Sequence, residues 1–535
     1  MSIFDSREDR NRGRSRQFNP AWSSPSGGGF NPALESFIIP LNFVSGSTQV
    51  NTAMAVGTGS PTFTRATVAW TKKENGLWAQ VGSGVPRSSF IGMNTAVGEY
   101  GGYLQEGAGT QLVTPTASIR DMTDASWVKT NMTTAKTSTG IDGVGSSCTR
   151  LTASLAGANI YQELVGAATS RTYSSWIKRI TGTGTIALSQ GTTTGSEILT
   201  NGTFTTDAAG WTGINATLAS VAGQLVMTAT AGSPYAYQAI TTVAGTFYRF
   251  TATLVADAMT GNNFMYAGTT SSVIDLSNRN LSSVPGTYST IFQATGTTTY
   301  IKVSGASAAL AAETSTWDNI SVMEAVVLDV TALINSATFT QVQYNATQLH
   351  AQLGTLIATS GDAIDVDFNQ FEAGGFATSP MDAAGAARDT DVLTYPASGN
   401  VDASSGTCYA ELSTLWSLWS TVGASAYAIN VSGNARLLYN SEGASTVISM
   451  YDSATAVSKA GLLAMATGVR KRASSWGATG QSITGDGASP GTGLFDGAMG
   501  LGATINIGVV WYGYIKNIRI WKTQLPDATL QTLTA

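Results

Sequence analysis

Short runs of alternating apolar and polar residues, broken by Gly, Pro, Ser and Thr, fill the stretch from about Glu197 to Ala325. Leu225-Val226-Met227-Thr228, Tyr235-Ala236-Tyr237-Gln238-Ala239-Ile240, Phe247 to Leu254 and Tyr300-Ile301-Lys302-Val303 keep a two-residue period. In an extended chain that period sends successive side chains to opposite faces, so each run predicts a strand with one buried face. Roughly 130 residues of such strands suit one β-sandwich.

A second copy of the pattern surrounds the first. Trp127 precedes Leu151-Thr152-Ala153, Tyr161-Gln162-Glu163-Leu164 and Tyr173 to Lys178. Trp211 likewise precedes Leu225-Val226-Met227, Tyr237 to Ile240 and Tyr248 to Thr251. The outer copy halts near Gln190 and resumes after Ala325. There Thr338 to Val342 answers Thr287 to Ile291, and Asp365 to Phe371 answers the strand around Asp318. One sandwich inserted into a loop of another is the simplest reading, because such insertion is cheap when the insert's ends lie close together. The alternative is two unrelated runs of strands alike only in composition.

Composition narrows the class. A chain of 535 residues implies several domains. With only 11% charged residues, long salt-bridged helices are not encoded, and the expected class is all-β. The net charge of −5 argues against a nucleic-acid channel and a polybasic membrane surface. No apolar run reaches the roughly 18 residues needed to span a bilayer, so no membrane insertion is expected. The N-terminus shows no apolar signal core, so assembly in a cytoplasm and release by another route are expected. Cys148 and Cys408 fall in different predicted domains and read as buried small hydrophobes. The single histidine, His350, rules out a multi-histidine zinc site within one chain.

Residues 1–60 read as an extended arm. Arg7, Arg10, Arg12, Arg14 and Arg16 alternate with Asp5, Glu8 and Asp9, and a Ser-Gly-rich tract follows. Such a segment buries too little apolar surface to fold alone. It is either a disordered tail or a peg that orders on a larger assembly, with Trp22 and Phe30 as anchors and Arg12 and Arg14 beside them.

Three sets of residues carry a family resemblance. The 196–325 segment opens with Asn201-Gly202-Thr203-Phe204 and Trp211 and closes with Trp317-Asp318-Asn319-Ile320-Ser321-Val322. It resembles the jelly-roll carbohydrate-binding modules appended to glycan-degrading enzymes and phage appendages. Arg65-Ala66-Thr67, Pro86-Arg87, Leu104-Gln105-Glu106-Gly107 and Thr110-Gln111-Leu112 lead into the outer copy. Gln370-Phe371-Glu372-Ala373-Gly374, Ala377-Thr378-Ser379-Pro380 and Ala387-Arg388-Asp389-Thr390-Asp391 end it. These are similar to motifs of tailed-phage virion proteins that carry jelly-roll modules, except that Gln111 stands where an Asn that would stabilise a turn is usual. The last part, with Trp511 to Trp521 followed by Leu525-Pro526-Asp527, resembles a concanavalin A/laminin-G-like sandwich. Pro526 is placed to open a short terminal helix. Together the resemblances imply a jelly roll at 196–325 inserted within a jelly roll at 61–195 plus 326–397. A concanavalin A/laminin-G-like domain at 398–535 follows.

Chemistry is sparse. Glycoside hydrolysis needs two carboxylates about 5 to 10 Å apart. The C-terminal acids Glu411, Glu442, Asp452, Asp486, Asp496 and Asp527 are scattered. Asp362, Asp365, Asp367 and Glu372 form the densest acidic cluster: a solvated strand end, a calcium site, since hard cations want several oxygens, or a catalytic group. Asp318 matches a position that often serves structural calcium in modules of the resembled class. No other cofactor is implied. The motif arginines and glutamates read as structural pairs across loops. For glycan binding the candidates are Tyr235 and Tyr237, which share a strand face, with Trp416, Trp419 and Trp511. Trp127, Trp211 and Trp317 sit at repeat-like positions and read as core.

The expectation is a non-enzymatic virion-surface protein of a tailed phage, on tail, neck or capsid. Its expected partners are other virion proteins, host-surface glycans and further copies of itself, and no nucleic acid. A purely structural appendage and a polysaccharide depolymerase are the alternatives.

Overall fold

The computed structural model describes residues 35–38, 57–73, 75–89, 102–113, 119–305, 308–381, 387–414, 426–432, 435–440, 448–452, 456–458, 469–509 and 511–535. These residues are mostly β. The sheets are antiparallel, and one helix, Asp527–Thr534, closes the chain. The alternating runs are strands: along Tyr235–Thr241, Ala236, Gln238 and Ile240 are buried, while Tyr235 and Tyr237 are half-buried and Ala239 and Thr241 exposed.

The strands that build the site are numbered in chain order. They begin with β1 (Val128–Thr130), β2 (Met132–Ser138), β3 (Cys148–Ala153), β4 (Ala158–Thr181) and β5 (Ile186–Thr194). Next come β6 (Thr212–Ile214), β7 (Ala216–Val221), β8 (Gln224–Ala229), β9 (Tyr235–Thr241) and β10 (Phe247–Asp257). β11 (Phe264–Gly268), β12 (Ser277–Asn280), β13 (Gly286–Gln293) and β14 (Thr298–Ser304) follow. β15 (Thr314–Asp329), β16 (Thr340–Ile357) and β17 (Ala363–Ala373) complete the set.

Two sets of strands pair in the same order. In the inner set, β6-β9-β14-β11-β12 form one sheet. The other inner ladder runs β7-β8-β15-β10-β13 through the first half of β15. In the flanking set, β1 pairs the first half of β4, which pairs the second half of β16, then β5, then the second half of β15. Its second ladder is β2-β3-β17, then the second half of β4, then the first half of β16. Position by position the orders coincide. Where the inner set turns from β11 to β12, the flanking set turns from β5 to the second half of β15, and the inner strands lie between. Two bent strands, β4 and β16, each serve both flanking ladders, with a register break between Val165 and Thr169.

Each set has its own core. One is drawn entirely from residues between Leu199 and Val322, including Phe204, Trp211, Phe250 and Trp317. The other uses residues from Val113 to Leu188 and again from Val330 to Phe371, including Trp127 and Tyr173.

The join between the sets is polar as well as apolar. Phe247, Ile291 and Ala325 meet Ala187 and Leu356. Arg279 of β12 donates to Tyr161 Oη and to Glu163, each at 2.5 Å, and lies over the rings of Tyr161 and Tyr288. Asn159, Tyr161 and Gln352 donate to the carbonyls of Ile291 and Ser289.

Two further sheets enclose the C-terminal core. One holds 406–414, 470–477, 480–485, 491–493 and 513–521; the other holds 426–432, 435–440, 448–452, 456–458 and 504–509. Both recruit strands from outside 398–535. Thr62–Thr64 pairs with Val392–Pro396, which pairs with Thr504–Val509. Gly102–Gln105 and Glu35–Ile38 both pair with Gly513–Trp521. Tyr103, Leu393, Tyr395 and Ala397 are buried in this core. The sequence reading places 61–105 and 392–397 with the outer copy, and Glu35 to Ile38 in the arm. The strand pairing crosses that boundary, because these segments find their backbone partners in the C-terminal strands Thr504–Val509 and Gly513–Trp521, directly or through Val392–Pro396. The helix packs Leu530 against Tyr409, Ala473 and Trp521. Cys148 and Cys408 are buried free thiols, and burial pushes Cys148 up to about 12.

Candidate functional site: a buried charge joint and an aromatic face

The motif residues converge on one buried joint between the flanking strands and the C-terminal sheets. Arg65, Arg87 and Arg388 meet Glu106, Asp391 and Glu372, all buried. Arg65 bonds Asp391 at 2.7 Å, and Arg87 reaches both Asp391 and Glu106. Arg388 lies 3.2 Å from Glu106 and donates to the Gly107 carbonyl at 2.9 Å. Glu372 is held by the Thr378 amide and hydroxyl and by Gln370. Gln111 Oε1 accepts from the amides of Val113 and Phe371, so the longer amide stabilises both its own turn and the neighbouring strand.

The carboxylates pair with the guanidinium ends and are closed to solvent, so the joint is structural, although Arg87 Nε, Arg388 Nε and Gln111 Nε2 are buried without a partner. Burial pushes the Glu106 carboxyl up, but Arg388, Arg87 and Ser379 outweigh it and hold it at about 2. Unfolded, it titrates near 4.3. A depressed folded pKa adds stability that is complete above the unfolded value and is lost as pH falls through the folded one. Glu106→Gln is therefore expected to cost about 3 kcal/mol at pH 7. The gap to the parent protein should close between about pH 4.5 and 2. Urea unfolding at pH 7, 4 and 2.5 measures it; a gap independent of pH would show that the charge is not what Glu106 contributes.

The acidic cluster does not gather. Asp365 bonds Arg150 and Ser138, Asp367 bonds Arg120, and Asp362 faces Arg179. Asp318 accepts from the Asn319 amide, while Glu197 accepts from Leu199, Ser321 and Val322. Among the described residues no three His, Cys, Asp or Glu side chains are placed to hold a metal ion. The candidate cluster at 362–372 is thus a set of separate ion pairs and hydrogen bonds, because each carboxylate has its own donors.

The open face of the β6-β9-β14-β11-β12 sheet is different. Opposed residues of antiparallel strands share a face. One cross-strand row reads Thr212, Tyr237, Lys302, Tyr266 and Asn278. The next reads Ile214, Tyr235, Ser304, Phe264 and Asn280. The opposite face supplies Ala236, Ile240, Met265, Ile301 and Val303 to the core. Tyr235, Tyr237, Phe264, Tyr266 and Tyr300 stay half-buried. Tyr235 and Tyr237 lie 6.1 Å apart, Tyr237 and Tyr300 5.9 Å, and Phe264 and Tyr266 stack at 5.3 Å.

Lys302 lies between Tyr237 and Tyr266 in the row and is 2% exposed. Its ammonium donates to the Val273 carbonyl, and burial lowers it to about 8 against the pull of Asp275. The 269–275 loop folds back over Gly268, where a Cβ would sit 2.0 Å from the Val273 oxygen. Beside Tyr237, where β6 begins, a shallow groove runs along β9 past Thr200, Gly210 and Thr212.

Of the sequence candidates, Tyr235 and Tyr237 lie on this face, and Tyr300, Phe264 and Tyr266 join them. Phe264 and Tyr266 alternate within a short run whose strand partners are distant, which is why they were missed. Trp511 is fully buried in the C-terminal core, so neither ring face is open to a sugar. Trp476 is buried as well and donates to the Asp402 carbonyl at 3.0 Å. Trp416, Trp419, Trp22, Phe30, Arg12 and Arg14 lie outside the described residues. No protein-family description and no curated protein matches the chain.

Proposed function

We propose that this chain is a non-enzymatic surface protein of a tailed-phage particle that binds host glycans through the β6-β9-β14-β11-β12 face. The single observation that carries the glycan reading is the half-exposed set of five aromatic rings on one sheet face. Stacking a sugar on such a ring is apolar burial, worth on the order of 1–2 kcal/mol per ring. In this reading the inner set is a carbohydrate-binding jelly roll inserted within a jelly roll, and the C-terminal sheets form a concanavalin A/laminin-G-like domain. The arm, with Trp22, Phe30, Arg12 and Arg14, docks the protein on other virion proteins, in several copies. The motif carboxylates favour binding over hydrolysis: Glu106, Glu372 and Asp391 are closed to solvent and cannot reach a glycosidic bond.

One site of this kind binds weakly, near millimolar. Many copies on a particle multiply the avidity. Tyr235→Ala with Tyr237→Ala is expected to abolish particle adsorption to host cells while melting temperature changes little. Adsorption assays and calorimetry on the same variant check this. Unchanged adsorption by a folded double variant would leave the purely structural appendage as the better reading.

A further inference from the structure

We infer that the aromatic face takes an uncharged polysaccharide chain laid across the strands, from Asn278 and Tyr266 over Lys302 to Tyr237 and the groove beside Thr212. The inference rests on the glycan reading above and adds the ligand's charge class and path.

Charge decides the class. Neither cross-strand row offers an exposed charged side chain. Its one cation, Lys302, is covered and spends a donor on the Val273 carbonyl. Asp275 at the rim is engaged by the amide and hydroxyl of Thr269. A uronate or sulfated chain would lose water from its anions and gain no exposed cation in return. A neutral chain loses nothing of that kind.

Geometry decides the path. Tyr237 and Tyr266 stand on β9 and β11, each one strand away from Lys302 on β14. The row from Thr212 to Asn278 crosses the sheet's five strands. At about 4.8 Å per strand its length is roughly 19 Å. Its two ends carry a hydroxyl and an amide, the groups that bond sugar hydroxyls, and both ends are exposed. The rings occupy the middle, where the flat apolar side of a sugar can lie. Tyr237 also borders the groove along β9, so the track continues past the row. A chain of several sugars can then touch both aromatic pairs, whereas a disaccharide can touch one.

The test uses the full chain and calorimetric titration. The probes are cello-, malto- and manno-oligosaccharides of increasing length, with alginate and polygalacturonate as acidic polymers, each at low and high sodium chloride. The expected result is binding to at least one neutral series, tightening with length and changing less than about twofold with salt. Tyr266→Ala and Asn278→Ala should each weaken the longest ligand severalfold and the disaccharide less, since a disaccharide can still occupy the Tyr235–Tyr237 pair, while Tyr266→Phe restores binding. If Tyr266→Ala fails to fold, Asn278→Ala and Tyr266→Phe still report on that end of the track.

Binding of the acidic polymers alone, steeply weakened by salt, would overturn the neutral class and leave the glycan reading standing. Binding that does not tighten with length overturns the path. No binding to any probe at millimolar concentration overturns both. So does sedimentation showing that Tyr237→Ala dissolves a self-associated form, since the face would then be a protein interface.

Discussion

Asp391→Ala is expected to lower the unfolding free energy by about 3–5 kcal/mol, the cost of leaving a buried charge without its partner. Asp391 bonds Arg65 through one carboxylate oxygen and Arg87 through the other, and all three side chains are closed to solvent. Its carbonyl also accepts from Gln105, and its carboxylate from the Glu106 amide. Removing the carboxylate therefore leaves Arg65 with no carboxylate partner and Arg87 with Glu106 alone. The damage should reach both neighbours of the joint, because Glu106 follows a strand of the C-terminal sheet and Ser379 follows the flanking set. Chemical unfolding read by tryptophan fluorescence measures the loss. A compensated variant sharpens the test: replacing Arg65, Arg87, Glu106 and Asp391 together by apolar residues of similar size should recover much of it. A loss below about 1 kcal/mol for the single variant would mean that water reaches the joint.

Deleting residues 196–324 and closing the gap with a short Gly-Ser bridge is expected to leave a protein that still melts cooperatively, at a lower temperature. Thr194 and Glu324 are cross-strand partners in the β5-β15 ladder. Such partners lie about 5 Å apart, so the bridge spans almost nothing. The flanking set keeps its own core and every ladder within itself. It loses the cover of Phe247 and Ile291 over Ala187 and Leu356, and Glu163 loses Arg279. A cost of about 2–3 kcal/mol corresponds to a drop of several degrees for a unit of this size. Scanning calorimetry decides it. Disappearance of the flanking transition would show that the two sets fold only together, and the nested reading would fall.

Much of the strand content was legible because its signal is local. Tyr235 to Ile240 alternates, and the two-residue period alone says that Tyr235 and Tyr237 share a face. The likeness of Tyr161-Gln162 to Tyr237-Gln238 was visible for the same reason, although Tyr161 and Tyr173 lie on one bent strand while Tyr237 and Tyr248 lie on two. The arginine and glutamate motifs were legible as structural pairs, but not as one joint. Arg65 and Asp391 are separated by 326 positions, and nothing local announces such a contact.

By itself, then, the sequence determined the mostly β class and, where the two-residue period is clear, the strand and its buried face, since backbone sterics and side-chain alternation act over a few residues. Only the tertiary structure decided which strand lies beside which. That placed Tyr266 and Phe264 across β14 from Tyr237 and Tyr235, and it drew Thr62–Thr64 and Gly102–Gln105 into the C-terminal sheets. It also separated Trp511 from the surface tyrosines. An aromatic residue carries the same local signature in a core as on an open face, and its exposure depends on what distant chain covers it.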